Sequence, residues 1–116
     1  MHPVIYGIPN CDSVKKARQW FDTHAIAYTF VDVRKTPPSR EQLAHWMDCV
    51  GAKLLINKRS TTWKNMSPNE QQETEHGDTL AVLLDNPTLI KRPVLEHAGD
   101  VAVGFKADSY AQRFNH

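Results

Sequence analysis

The chain has 116 residues, with 14 Lys and Arg against 13 Asp and Glu and a net charge of +1, a balance that argues against non-specific DNA binding as its main work. A hydrophobic content of 41% and a charged content of 23% suit one soluble domain that buries a single core without disulfides or metal. No apolar run approaches the roughly 20 residues of a membrane span, and no basic stretch followed by an apolar one marks a signal peptide. The expectation is a monomeric cytoplasmic protein with neither nucleic acid nor membrane as partner.

In chain order, residues 4–8 are β-formers closed by Gly7 and Pro9, which predicts a first strand. Residues 12–24 carry Val14, Ala17, Phe21 and His24 on one face, with Trp20 beside them, which predicts an amphipathic helix. Residues 27–33 alternate and predict a second strand, parallel to the first because a helix separates the two. Pro37 and Pro38 then break the chain. Ser39 with Gln42 reads as a capping box, and Leu43, Trp46, Met47 and Val50 form the stripe of a second helix that stops at Gly51. Ser67-Pro68-Asn69-Glu70 signals another helix start. Asp78 opens a third helical stretch, with Leu80, Leu83 and Leu84 inward and Pro87 at its end. Residues 94–96 and 101–105 read as strands joined by a hairpin turn at 97–100. A last helix at 107–114 turns Tyr110, Ala111 and Phe114 inward. The fold class is therefore α/β, ordered β-α-β, a mostly helical insertion at about 36–88, then β-β-α.

Cys11 is the most informative residue. It stands where the first strand's turn becomes the first helix. A helix start offers unpaired N–H groups and the positive end of the dipole, and both favour a thiolate, the nucleophilic form of cysteine. Its flanks, Asn10 and Asp12-Ser13, are polar, which argues against a merely buried thiol. Lys15, Lys16 and Arg18 add positive charge within two turns and would help to hold an anion. In a two-cysteine redox motif the resolving thiol would stand at position 14, which is Val14 here. An adduct on Cys11 must then be cleared by an outside thiol, or by Cys49 if folding brings it near. Cys49 lies between Trp46 and Val50, and a buried structural role is expected for it. Neither cysteine belongs to a Cys-x-x-Cys pair or stands near a His at zinc spacing, so no metal is expected. A cysteine-phosphatase reading fails because Arg18 falls well inside the helix and the loop that would wrap a phosphate is missing. The five glycines are isolated, so a glycine-rich phosphate loop is absent too.

The stretch Ile5-Tyr6-Gly7-Ile8-Pro9-Asn10-Cys11-Asp12-Ser13-Val14-Lys15-Lys16-Ala17-Arg18 resembles the opening of the arsenate reductase (ArsC)-like family, which also holds the Spx-type regulators. Asn57-Lys58-Arg59-Ser60-Thr61-Thr62-Trp63-Lys64 resembles a stretch of its YffB-type branch. Asn86-Pro87-Thr88-Leu89-Ile90-Lys91-Arg92-Pro93-Val94 resembles the family's Asn-Pro…Arg-Pro segment, and Val103-Gly104-Phe105-Lys106 its last strand. The resemblance spans essentially the whole chain.

It implies a single thioredoxin-like domain with a four-stranded mixed sheet and a helical insertion between the second and third strands. It implies that Cys11 is the nucleophile and that Pro93 is a cis proline beside it. Family arsenate reductases hold their oxyanion with arginines. Arg92 and Arg59 match two of these positions, and Lys106 stands at the third. Lysine keeps the charge but loses the planar fork that suits oxyanions, which counts against efficient arsenate reduction. The same cations suit the carboxylates of glutathione. The leading expectation is a glutathione-dependent thiol-disulfide reductase with Cys11 catalytic. Asn10, Ser13, Lys15, Arg59, Arg92, Pro93 and Lys106 would bind glutathione or substrate. Glutathione or another small thiol is the expected co-substrate, with an oxidised thiol or arsenate as the molecule reduced. An arsenate reductase that uses glutathione or glutaredoxin is the second expectation. A Spx-like regulator that binds RNA polymerase is the third, and Val14 removes the Cys-x-x-Cys switch that such regulators use.

Overall fold

Val4–Gly7 (β1), Asp12–Thr23 (α1) and Thr29–Asp32 (β2) form the predicted opening unit, in a computed structural model that describes residues 2–115. β1 and β2 pair in parallel, from Val4 with Thr29 to Gly7 with Asp32. The closing strands Val94–His97 (β3) and Asp100–Val103 (β4) pair antiparallel, and β3 also pairs antiparallel with β1. The sheet order is β2-β1-β3-β4, and a last helix runs over Ala107–Phe114. This is the four-stranded mixed sheet with helices inserted between its second and third strands that the resemblance implies. The inserted helices are Arg40–Val50 (α2), Ala52–Leu55 (α3), Thr61–Lys64 (α4), Pro68–His76 (α5) and Thr79–Asp85 (α6), followed by a 3-10 turn at Pro87–Leu89. The last helix is therefore α7. The chain divides into two compact units, one holding the residues up to Asp32 and from Arg92 onward, the other Val33–Lys91.

In the first unit, Ile5, Ala17, Trp20, Phe21, Leu95 and Tyr110 make one buried cluster. The strand register explains it: Ile5 pairs with Phe30 and with Leu95, and Leu95 pairs with Ala102, so one sheet face carries the apolar side chains that α1 and α7 cover. Fully burying a large side chain such as Ile5, Phe21 or Leu95 contributes about 1.5–3 kcal/mol. α1 ends in paired backbone bonds, Ile26 to Phe21 at 3.0 Å and Ala25 to Asp22 at 3.2 Å, with Ala25 at φ 55° where glycine is usual. The β3–β4 turn puts both Ala98 (φ 53°) and Gly99 (φ 85°) in the left-handed region, as a two-residue type I′ hairpin requires.

In the second unit Ser39 caps α2 but its expected box with Gln42 is only half formed. Ser39 Oγ accepts from the Gln42 N–H at 3.1 Å. Ser67 and Glu70 complete a reciprocal capping box, at 3.2 Å from the Glu70 N–H and 2.9 Å from the Ser67 N–H. Gly51 stops α2 at φ 87°. Leu43, Trp46 and Leu83 are buried, while Met47, Val50, Leu80 and Leu84 are only half-buried. The pattern also omits two buried polar residues. Thr74 and Thr79 are enclosed because each hydroxyl donates to a main-chain carbonyl, that of Glu70 at 2.8 Å and that of Thr74 at 2.6 Å.

Candidate active site

Cys11 is the N-cap of α1, with extended backbone (φ −92°, ψ 129°) and a half-buried side chain. Its own N–H donates to the Ile8 carbonyl at 3.1 Å, which closes the turn after β1, and its carbonyl accepts from Lys15 at 2.9 Å, which opens the helix. Its side chain makes no capping hydrogen bond. The first-turn N–H groups after it lack helical acceptors by geometry, so the sulfur stands at a site suited to an anion. Among the described residues Asp12 is the one acidic group of that turn.

Val14 is fully buried, and a Cβ added to Gly7 would come within 2.5 Å of its Cγ2. The position of a local resolving thiol is thus a core position, filled by a branched apolar side chain that packs on the strand before Cys11.

The Arg92–Pro93 bond is cis, as the resemblance implies. Pro93 is buried and Arg92 half-buried with its Nε enclosed. Register places them. Tyr6 pairs with Val94, so one further step sets Pro93 across from Gly7 at the carboxyl end of β1, the end from which the chain reaches Cys11. The Gly104 N–H donates to the Pro93 carbonyl at 2.9 Å, and Gly104 (φ 77°) follows β4 two residues before Lys106. Lys106 is exposed at the N-cap of α7. The first unit thus gathers Cys11, Arg92, Pro93 and Lys106 at one end of its sheet. Asn10, Ser13 and Lys15 are exposed around the start of α1.

Arg59 belongs to the second unit, in the turn between α3 and α4. The Asn57 side chain accepts from the Arg59 N–H at 3.1 Å, and Ser60 caps α4 through Trp63 at 3.1 Å. The segment is anchored by an Ile56–Ile90 bridge and by bonds from Asn57 to Leu89 and from Lys91 to Leu55, both 2.7 Å. The Arg59 side chain is exposed and has no ion-pair partner among the described residues.

Cys49 departs from expectation. It is exposed on α2, not buried, and its Sγ lies 3.8 Å from His45 Nε2. At about 100° per residue Cys49 lies about 60° beyond Trp46 and about 120° from Leu43, so it is turned off the edge of the face that those two bury. His45, one helical turn away, is a neighbour of this thiol that the sequence reading leaves out. Among the described residues no group of three or more His, Cys, Asp and Glu is arranged to hold a metal ion, and no helix is long and apolar enough to cross a membrane.

Sequence reading also passes over the setting of Arg18. Its guanidinium carbon lies 4.2 Å from the centre of the Phe30 ring, and its Nε donates to the Tyr28 hydroxyl at 3.1 Å. The signal is its seven-residue distance from Cys11, about two helical turns.

A βαβ–ββα sheet with a cysteine at the start of its first helix and a cis-Pro opposite is the arrangement of thioredoxin-like proteins. A glutaredoxin from Archaeoglobus fulgidus, 9% identical, superposes with a TM-score of 0.50 over 99% of this chain and 87% of that one, a likeness of fold alone. The model of the ArsC family matches residues 6–113, and the chain belongs to that family. It is similar to the solved YffB protein, at 38% identity and a TM-score of 0.87 over 95% of this chain and 96% of that one. It is also similar to an arsenate reductase (ArsC) related protein from Brucella melitensis, at 36% identity and a TM-score of 0.79, covering 100% and 97% of the two chains. The global transcriptional regulator Spx 2 of Oceanobacillus iheyensis is 32% identical over 93% of this chain and 80% of its own length. The family relatives therefore include both arsenate-reductase-related proteins and regulators.

Proposed function

We propose that the protein is a glutathione-dependent thiol-disulfide reductase with one nucleophilic cysteine. The observation that carries this reading is the pair of positions at the start of α1: a half-buried Cys11 at the N-cap, and a fully buried Val14 where a second thiol would have to stand.

The cycle follows from that pair. The Cys11 thiolate attacks one sulfur of a disulfide R–S–S–R; a Cys11–S–S–R bond forms and R–S⁻ leaves, protonated by solvent. A glutathione thiolate then attacks this mixed disulfide, frees the Cys11 thiolate and departs as G–S–S–R. The first-turn N–H groups, with Ser13, stabilise the sulfur anion. Arg92 and Lys106 offer positive charge at the same end of the sheet. No metal takes part. A cytoplasmic setting suits the reading, because glutathione keeps thiols reduced there.

The test is a turnover assay in which glutathione reductase and NADPH report the oxidised glutathione formed from a small disulfide. Turnover that is lost in Cys11→Ser and kept in Cys49→Ser supports the proposal; equal turnover in the wild type and Cys11→Ser defeats it. Likeness to the Brucella arsenate reductase related protein favours a second reading, arsenate in place of the disulfide. Arsenate-dependent NADPH consumption that disappears in Arg92→Ala would select that reading. Regulation through RNA polymerase, suggested by likeness to Spx 2, is addressed by a pull-down with polymerase.

A further inference from the structure

α1 turns by about 100° per residue, so positions 11, 15 and 18 share one flank of it, and seven residues span about 10 Å. That flank is the side of β2, because Arg18 lies against Phe30 and Tyr28. Two things distinguish Arg18 from an ordinary surface cation. The guanidinium is held in place, by the Phe30 ring at 4.2 Å and by the Tyr28 hydroxyl at 3.1 Å from Nε. Its two terminal nitrogens nevertheless make no hydrogen bond or ion pair among the described residues. Asp22, one turn further on, is exposed and forms no ion pair with it. Lys15, between Cys11 and Arg18, is exposed and likewise unpaired among the described residues. A fork fixed at its root and open at its tips is already shaped for a carboxylate, since little rotamer entropy remains to be lost when it binds.

We infer that Arg18, with Lys15, is the carboxylate-binding element for the small peptide disulfide that reacts with Cys11, and that it selects partners carrying a carboxylate about 10 Å along α1 from their sulfur. This rests on the reading of Cys11 as the nucleophile. Glutathione disulfide meets the requirement, as a short peptide with carboxylates at both ends of each half. Its step is a simple exchange: the Cys11 thiolate attacks one glutathione sulfur, the Cys11–glutathione disulfide forms, and the other glutathione leaves as its thiolate. Arg18 takes no part in bond making; it binds the carboxylate of the half that stays.

The test compares two disulfides that differ in charge. The rate of mixed-disulfide formation is followed by intact mass with glutathione disulfide and with the neutral bis(2-hydroxyethyl) disulfide, in wild type, Arg18→Gln and Arg18→Lys. The expected result is that Arg18→Gln lowers the glutathione rate about tenfold, the scale of one charge-assisted contact, and leaves the neutral disulfide unchanged. Arg18→Lys restores part of the loss. Equal rates for Arg18→Gln and wild type with glutathione disulfide, or an equal fall with both disulfides, would overturn the inference while leaving Cys11 as the nucleophile. A wild-type Cys11 that reacts with neither disulfide would overturn the reading beneath it as well.

Discussion

Gly7 and Val14 are in such close contact that any side chain on the first would displace the second: a Cβ at Gly7 would come within 2.5 Å of Val14 Cγ2 and 3.3 Å of its Cγ1. Val14 is fully buried, and its β-branched side chain has one strongly preferred rotamer in a helix. The contact joins the end of β1 to the first turn of α1, on either side of Cys11. Gly7→Ala is therefore expected to destabilise the fold by about 1–3 kcal/mol, the usual cost of overpacking. Urea unfolding measures it. Gly7→Ala combined with Val14→Ala should cost less than the two changes summed, because the second removes the clash that the first creates.

The same contact bears on chemistry. Val14→Cys puts a thiol where two-cysteine proteins hold the resolving one, at a stability cost of about 1 kcal/mol for the smaller core side chain. Exposed to glutathione disulfide, this variant should finish with an internal disulfide between Cys11 and the introduced thiol, and no bound glutathione. A stable glutathione adduct on the variant would show that a thiol at position 14 cannot reach Cys11.

Tyr110 offers a prediction of the opposite sign. Its hydroxyl is buried within the aromatic cluster with no hydrogen-bond partner among the described residues. Burial pushes the phenol's pKa far above its ordinary value of 10.0. A folded pKa raised above the unfolded one stabilises the fold fully below pH 10 and loses that effect as pH rises further. Tyr110→Phe should leave Tm unchanged or raised at neutral pH, since it removes an unsatisfied group. It should also flatten the loss of stability above pH 10, which melting curves across that range would show.

The caps of the inserted helices give a further check. Ser67→Ala should cost about 1 kcal/mol, the typical value of an N-cap. Glu70 is held below the ordinary glutamate range by its bond to the Ser67 main-chain N–H, then by the Ser67 side chain. A lowered folded pKa contributes stability that is complete above the unfolded value and is lost as pH falls through the folded one. The difference in urea midpoint between the wild type and Glu70→Ala should thus be present at neutral pH and shrink under acid conditions.

Much of this is legible from residue order, and what is not has physical causes. α1 and α7 emerge with their boundaries nearly correct because apolar residues at helical spacing coincide with turn residues at both ends. α3 and α4 have four residues each, too short for any periodicity to register. The burial of Thr74 and Thr79 lies outside the apolar pattern, since nothing in their neighbours reveals that a nearby main-chain carbonyl will satisfy the hydroxyl. Cys49 is misread as buried because it neighbours Trp46 on the helix yet is turned about 120° from Leu43, past the edge of the buried face. The cis bond before Pro93 follows from no local pattern and is suggested by family resemblance alone. Cys11, by contrast, is marked directly by its place between a strand's turn and a helix start, and Arg18 could be marked by its spacing from it.

The central claim is that Cys11 is a solitary nucleophile, and the intact mass of the protein after exposure to glutathione disulfide tests it most directly. The account predicts a single glutathione-sized addition that vanishes in Cys11→Ser and persists in Cys49→Ser. An addition that persists in Cys11→Ser and vanishes in Cys49→Ser would contradict it, and so would a wild-type protein that gains no mass at all.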